Sequence, residues 1–160
     1  MKFILTTLLL SLCSLFLLNA QTTNDVDSVE NKHSLQGVWQ CYSPTGNYLK
    51  VNRETNEITI DPTRLKPTFS YKIFGSNGEL TSLFITPILS LITISGTYEV
   101  LSSDEFVERV QFHSNPGYAN RDVPLGYEFF SDDYLVSSYK NEMGMTIKEI
   151  WKRLKHGDPS

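Results

Sequence analysis

A period of two in the polar and apolar residues is clearest near the end of the chain, in residues 146–154. This period is typical of a β-strand, whose side chains point alternately to opposite faces. One face carries Lys148, Ile150 and Lys152 and is expected to lie in water. The other face comprises Ile147, Glu149, Trp151 and Arg153. Because charged groups that point inward need partners, this strand predicts the wall of a small barrel with a partly polar interior.

Further β-rich runs, separated by turn-forming residues, predict the rest of the sheet. They cover residues 35–42, 69–74, 79–86, 92–100, 106–113, 125–130 and 134–140. Short and long connections alternate, so in an antiparallel meander the longer loops lie together at one end. The pattern therefore predicts an all-β, eight-stranded antiparallel up-and-down barrel with an open mouth. The loop after the first strand adds a small extra hairpin, from residues 48–51 and 57–60.

The first 20 residues have the pattern of a signal peptide. Lys2 precedes a long apolar run, and Ala20 supplies a small residue for cleavage. We therefore expect a secreted or periplasmic protein. Lipoprotein anchoring through Cys13 is disfavoured because Leu12 stands where a small residue is required. No second apolar segment is long enough to span a bilayer.

The remaining chain is predicted to hold a flexible tether, residues 21–33, and one barrel domain, residues 34–156. The full sequence has a formal net charge of −4, which argues against nucleic acids and anionic membranes as partners, since both require basic patches. After signal-peptide removal Cys41 would be the one remaining cysteine, which excludes an internal disulfide. We expect Cys41 to be an unreactive packed thiol.

Short motifs along the chain match those of a known family. They are Gly37-Val38-Trp39 in the first strand, Asp133-Tyr134 before the seventh, and Arg153 in the last. On these residues the chain resembles a lipocalin-type calycin. It is similar, more narrowly, to an uncharacterised family of secreted lipocalin-like proteins of Bacteroidetes. The narrower similarity is carried by Lys66-Pro67, Gly96-Thr97-Tyr98 and the run from Glu149 to Arg153.

The resemblance implies a structural role for one group of residues. In lipocalins a Gly-x-Trp, a Thr-Asp-Tyr and an Arg meet at the closed end of the barrel, and here Asp132 replaces the Thr. The corresponding residues are Gly37, Trp39, Asp133, Tyr134 and Arg153. At the closed end, we expect the guanidinium of Arg153 to stack on the indole of Trp39.

The period of two also assigns the interior of the other strands. In the second strand it is expected to point Phe69, Tyr71 and Ile73 inward and Lys72 outward. The candidate ligand-binding residues are Tyr71, Glu108, Tyr127, Tyr139, Glu149 and Trp151. Because an ionised carboxylate buried alone is costly, both glutamates need partners. We expect Glu108 to lie near Arg153, and Glu149 to face a ligand together with Tyr127 and Tyr139.

Three functions remain open on these residues. The favoured one is a binding protein that holds a small hydrophobic or amphipathic ligand above a polar floor. The second is an interaction module with a filled core, which docks a protein or glycan through its mouth loops. Its candidate residues are Tyr48, Ile88, Leu89, Tyr118 and Met143. The third is an enzyme with a lipocalin fold, such as an isomerase.

The sequence assigns no catalytic residue, since no nucleophile is paired with a base. No metal or cofactor is expected either, because His33, His113 and His156 lack suitably spaced partners. Cavity volume distinguishes the first two functions. A void of roughly 300–1,000 Å³ favours a binding protein, and a filled interior favours an interaction module.

Overall fold

The computed structural model describes residues 33–155. The predicted signal peptide, and all of the predicted tether except its last residue, lie outside the described residues. The strands are β1 (Gly37–Pro44), β2 (Leu49–Val51), β3 (Ile58–Ile60), β4 (Leu65–Phe74), β5 (Glu79–Thr86), β6 (Leu89–Val100), β7 (Glu105–His113), β8 (Arg121–Ser131), β9 (Tyr134–Lys140) and β10 (Thr146–Arg153). Short 3₁₀ helices occupy Pro62–Arg64 and Pro116–Tyr118. Among the described residues, no helix has the length and apolar character needed to cross a membrane.

Eight strands form a closed antiparallel barrel in the order β1-β10-β9-β8-β7-β6-β5-β4. β1 closes it by pairing with β10, where Trp39 lies opposite Arg153, and with β4, where Gly37 lies opposite Phe74. β2 and β3 pair separately, with Leu49 opposite Ile60. The predicted all-β, up-and-down barrel and its extra hairpin are therefore confirmed.

The connections divide the barrel into two ends. Residues 75–78, 101–104 and 132–133 connect strands at the closed end. Residues 45–64, 87–88, 114–120 and 141–145 connect strands at the other end, which we call the mouth. One of these connections is shorter than expected, because β6 begins at Leu89. Its first residue already pairs with Thr86, which leaves a two-residue turn at Pro87 and Ile88.

A buried aromatic and aliphatic cluster fills the interior, mainly in the strand halves beside the closed end. Its members are Leu35, Trp39, Phe74, Leu80, Phe106, Leu125, Tyr127, Leu135 and Trp151. The rings of Phe74, Phe106 and Tyr127 meet edge to face at 5.6–5.7 Å, a favoured arrangement for aromatic pairs. This cluster makes the closed end a solid core.

A second core lies outside the barrel wall, under the extra hairpin. It comprises Ile60, Leu65, Val136 and Ile150, with Tyr48 packed beside them. The expectation that the outer face of the last strand lies in water is correct at Lys148, which is exposed. It is wrong at Ile150, which is 3% exposed, because the hairpin covers it. The hairpin therefore shields an apolar strip that alternation alone would place in solvent.

Asp61 connects this hairpin to the 3₁₀ helix that precedes β4. Its carboxylate accepts hydrogen bonds from Thr63 N at 3.0 Å and Thr63 Oγ1 at 2.6 Å, and Lys50 Nζ lies 3.0 Å away. The hydrogen bond from the Thr63 hydroxyl, followed by that from Lys50, lowers the pKa of Asp61 to about 2. The ionised carboxylate thus holds the start of the 3₁₀ helix against the hairpin.

The predicted orientation of β4 is wrong. Lys72 points inward and is buried, whereas Phe69 is 52% exposed. Tyr71 lies on the outer face beside Gln40, whose Nε2 donates to its hydroxyl at 2.9 Å. Phe74, at the end of the strand, is inward and buried, and it sets the orientation of every alternate residue before it. The aromatic residues therefore identified the strand but not its buried face.

Candidate functional site

A cavity of about 740 Å³ lies between the closed-end core and the mouth. Its apolar lining includes Ile94, Val110, Val123, Leu125 and Tyr139. These side chains come from strands β6 to β9, whose mouth-side halves carry smaller aliphatic residues than the aromatic core below. The interior is therefore filled at one end and hollow at the other.

A buried ion pair forms part of the cavity lining. Lys72 Nζ lies 2.6 Å from Glu108 Oε1, and the two side chains are only 7% and 4% exposed. Lys72 Nζ also lies 4.9 Å from the ring centroid of Trp151, within the range of a cation–π interaction. Burial alone would lower the pKa of Lys72, but the carboxylates of Glu108 and Glu149 outweigh it and leave this pKa raised. Lys72 is therefore a cation in the folded protein.

Glu149 supplies a second carboxylate to the same cavity. It lies opposite Ser137 on β9, on the same face as Trp151. Among residues 33–155, no side chain or backbone group makes a hydrogen bond or ion pair with this carboxylate. Burial raises the pKa of Tyr139, and the charge of Glu149 adds to the rise. Glu149 is thus close to Tyr139 and to Lys72 but has no direct partner in the part of the chain that the structure describes.

Cys41 lies near enough to Glu149 and Lys72 for their charges to affect its pKa. Burial raises the pKa of its thiol, and the negative charge of Glu149 raises it further. Because the thiolate is the reactive form of cysteine, these surroundings oppose nucleophilic chemistry. Cys41 is therefore not activated as a nucleophile.

The barrel wall has a gap beside the cavity. β8 pairs with β7 as far as Arg121, but its pairing with β9 begins only at Gly126. Successive residues of a strand direct their backbone nitrogens to opposite neighbouring strands. Tyr127 N donates to Asp104 O on the β7 side. Pro124 is an odd number of residues away, so its backbone nitrogen points towards β9. Proline has no N–H to donate, which prevents the pairing from continuing. The cavity accordingly extends through this gap to the outer face, where Pro124 contributes to its lining.

The structure brings together three of the predicted ligand-binding residues, Glu108, Tyr139 and Glu149, in the cavity lining. The other three lie elsewhere. Tyr71 is on the outer face, and the hydroxyl of Tyr127 donates to Ser102 O at the closed end, at 3.0 Å. Trp151 belongs to the buried core, where its Nε1 donates to Ser137 Oγ at 3.0 Å. Tyr127 and Trp151 are therefore core residues that point inward below the cavity.

Sequence reasoning missed Lys72, the cation of the site. Two signals could have identified it. Lys72 shares the orientation of Phe74, two residues later, and Glu108 required a cation on a neighbouring interior position. The expectation that Arg153 would lie near Glu108 is wrong, because Lys72 is the ion-pair partner of that carboxylate.

The mouth residues do not form one rim. Tyr118 contributes to the cavity lining, whereas Ile88 and Met143 are 96% and 76% exposed and Leu89 is about half exposed. Tyr48, in the connection of residues 45–64 at this end, packs against the outer core. Only Tyr118 is thus positioned to contact a molecule inside the cavity.

Arg153 forms the closed end with backbone partners. Its guanidinium carbon lies 4.1 Å from the Trp39 ring centroid, which confirms the predicted stacking. Nε donates to Asp132 O at 2.9 Å, and Nη1 and Nη2 donate to the carbonyls of Gln36 and Ser34. A Cβ on Gly37, whose φ is +128°, would lie 2.8 Å from Nη1. The arginine therefore holds the segment that precedes β1 against the last strand.

Of the other predicted closed-end residues, Asp133 lies beside this arginine. Arg153 N donates to Asp133 O at 2.8 Å, and Lys155 Nζ lies 2.7 Å from Asp133 Oδ1. Tyr134 packs against the outer core.

Within residues 33–155 no group of three or more His, Cys, Asp or Glu side chains could hold a metal ion. His156, one of the three histidines considered in the sequence, lies outside the described residues.

Comparison with known sequences gives one match. A family described as "Domain of unknown function (DUF4488)" matches residues 34–160, which include the whole barrel. A search of curated proteins found no match.

Proposed function

Since the chain belongs to the DUF4488 family, whose description assigns no activity, we propose a function from the cavity itself: the protein binds a small amphipathic ligand inside the barrel. The observation that carries this proposal is the cavity of about 740 Å³. Ligand pockets of roughly 300–1,000 Å³, mostly apolar with a few polar groups, are typical of small-molecule sites. A filled barrel would have favoured the interaction module instead.

The arrangement of the lining supports this function. The apolar side chains of Val110, Val123 and Leu125 provide a surface that an aliphatic or aromatic body can cover, and Lys72, Glu108 and Glu149 provide a polar floor. The gap between β8 and β9 offers a route into the cavity. We further propose that the protein is a lipocalin-like member of a bacterial family and that it acts in the periplasm or outside the cell, after cleavage near Ala20.

The experiment that tests the proposal is a cavity-filling substitution. We expect the neutral fluorescent probe N-phenyl-1-naphthylamine to bind saturably to the native protein, and Val110→Trp to abolish this binding because the indole would occupy the cavity. Gln111→Trp is the matched control, since Gln111 lies next along β7 and is exposed. Leu125→Trp serves as a second filling variant, and thermal melts establish that each variant is folded. Absence of saturable binding to the native protein would overturn the proposal.

Docking through the mouth is a second candidate function, favoured by the nearly complete exposure of Ile88 and the high exposure of Met143. Exposed apolar residues grouped at one end are a common feature of protein-binding surfaces. If this is the function, the immobilised barrel domain should retain a protein from the organism that produces it. Ile88→Ser should weaken this retention, whereas Val110→Trp should not. The reverse result would favour the cavity.

A further inference from the structure

The charges inside the cavity are unbalanced. On the inward faces of the strands, its lining has one cation, Lys72, and two carboxylates, Glu108 and Glu149. Lys72 is already in direct contact with Glu108, at 2.6 Å. Glu149 has no ion-pair partner among residues 33–155. One negative charge is therefore left over at the polar floor.

Charged side chains at the outer edge of the cavity do not supply the missing cation. Arg121 Nη1 lies 3.4 Å from Glu142, and its guanidinium stacks over Tyr118 at 5.2 Å. Asp122 pairs with an arginine on the outer face. Lys140 is exposed at the outward-facing end of β9. The positive charges at the edge are thus either paired or directed to solvent.

From this imbalance we infer that the ligand carries a positively charged amine head group on an apolar body, and that Glu149 binds the head group. The inference rests on the proposed function and specifies its ligand class. A primary or secondary ammonium group presents N–H donors to a carboxylate, and such charge-assisted hydrogen bonds are about twice as strong as neutral ones. Tyr139 lines the same part of the cavity and adds an aromatic ring, which attracts cations.

An anionic ligand fits this cavity poorly. It would have to take Lys72 from Glu108, which would leave a buried carboxylate without its cation, and it would also face the negative charge of Glu149. Removing one member of a buried ion pair is strongly unfavourable. A neutral head group would avoid this conflict but would leave the charge of Glu149 uncompensated. The cavity therefore selects for a cation.

The test uses ligands that share a decyl chain and differ in the head group: decylamine, decanol and decanoate. Displacement of N-phenyl-1-naphthylamine measures the affinity of each. We expect decylamine to bind about tenfold more tightly than decanol, and decanoate to bind most weakly. A native protein that prefers decanol or decanoate overturns the inference while leaving the proposed function intact. Failure of all three ligands and the probe to bind overturns the proposed function itself.

A substitution then locates the head group. We expect Glu149→Gln to remove the preference for decylamine, a loss of about tenfold, and to change decanol affinity by less than about twofold. Glu105→Gln is the matched control, because Glu105 lines the same cavity but is exposed on the outer face; it should retain the native preference. Retention of that preference by Glu149→Gln would overturn the assignment. If Glu149→Gln does not fold, the ligand series with the native protein still decides the head-group class.

Discussion

The ion pair between Lys72 and Glu108 predicts an asymmetric response to substitution. Lys72→Met keeps the apolar part of the side chain but removes the cation, so Glu108 and Glu149 would share the cavity without a positive charge. Breaking a buried ion pair by removing one partner costs about 3–5 kcal/mol. Because the Lys72 side chain is nearly inaccessible to solvent, screening reduces this cost little. We expect Lys72→Met to lower the free energy of unfolding by about 3–5 kcal/mol at pH 7, from a typical total of about 5–15 kcal/mol.

Glu108→Gln should be the milder change. Lys72 would keep the nearby charge of Glu149, which already contributes to its raised pKa, and the glutamine could still accept a hydrogen bond. We expect a loss of about 1–3 kcal/mol, the usual cost of weakening a buried polar contact. The double variant Lys72→Met/Glu108→Leu should recover most of the loss of Lys72→Met, because it removes the uncompensated carboxylate together with its partner.

Urea denaturation, followed by the fluorescence of the two tryptophans, measures these differences. Lys148→Met is the control, since it removes the same charge from an exposed position and should change stability by less than about 0.5 kcal/mol. In the native protein the pKa of Lys72 is raised. The charged lysine therefore contributes fully to the free energy of unfolding below the ordinary lysine pKa of 10.5, and this contribution is lost as pH rises through the folded-state pKa. A loss below about 1 kcal/mol for Lys72→Met would refute this account.

Three further predictions concern the closed end and the hairpin. Gly37→Ala should lower the free energy of unfolding by about 1–3 kcal/mol in urea denaturation, because the backbone has a positive φ and the guanidinium lies in the way; Gly46→Ala, with open space around it, should change it little, and equal effects would contradict the prediction. Ile150→Ala should cost about 2–5 kcal/mol in the same assay, and the exposed Ile58→Ala much less; a similar loss in both would show that the hairpin does not bury the strand. Hydrogen bonds lower the pKa of Asp61 to about 2, so the ionised carboxylate contributes to the free energy of unfolding above the ordinary pKa of 3.8, and this contribution is lost as pH falls towards 2. Asp61→Asn should remove this part of the acid dependence of the urea midpoint. An unchanged acid dependence would contradict the prediction.

Local sequence patterns were sufficient to predict the strands, their order and the two ends of the barrel. Alternation and turn residues are local properties, because side-chain direction along a strand and the conformation of a two- to four-residue turn depend on adjacent residues. The closed end was also predictable, because Gly37, Trp39 and Arg153 resemble motifs that meet at the closed end of lipocalins. Of the site, Glu108, Glu149 and Tyr139 could be predicted from the same alternation.

Contacts between distant strands determine which face of β4 is buried, and with it the cation of the site. Residues 69–73 hold aromatic side chains in one orientation and Lys72 in the other, and local hydrophobicity favours burying the aromatic residues. The orientation reverses because Phe74 joins the closed-end core and Lys72 finds Glu108 across the barrel, 36 residues away in sequence. The shared orientation of Lys72 and Phe74 is a local signal, but the ion pair itself joins residues too far apart in sequence to leave one. The cover over Ile150 and the gap beside Pro124 likewise depend on how distant strands meet, and this is why only the folded chain reveals the cavity.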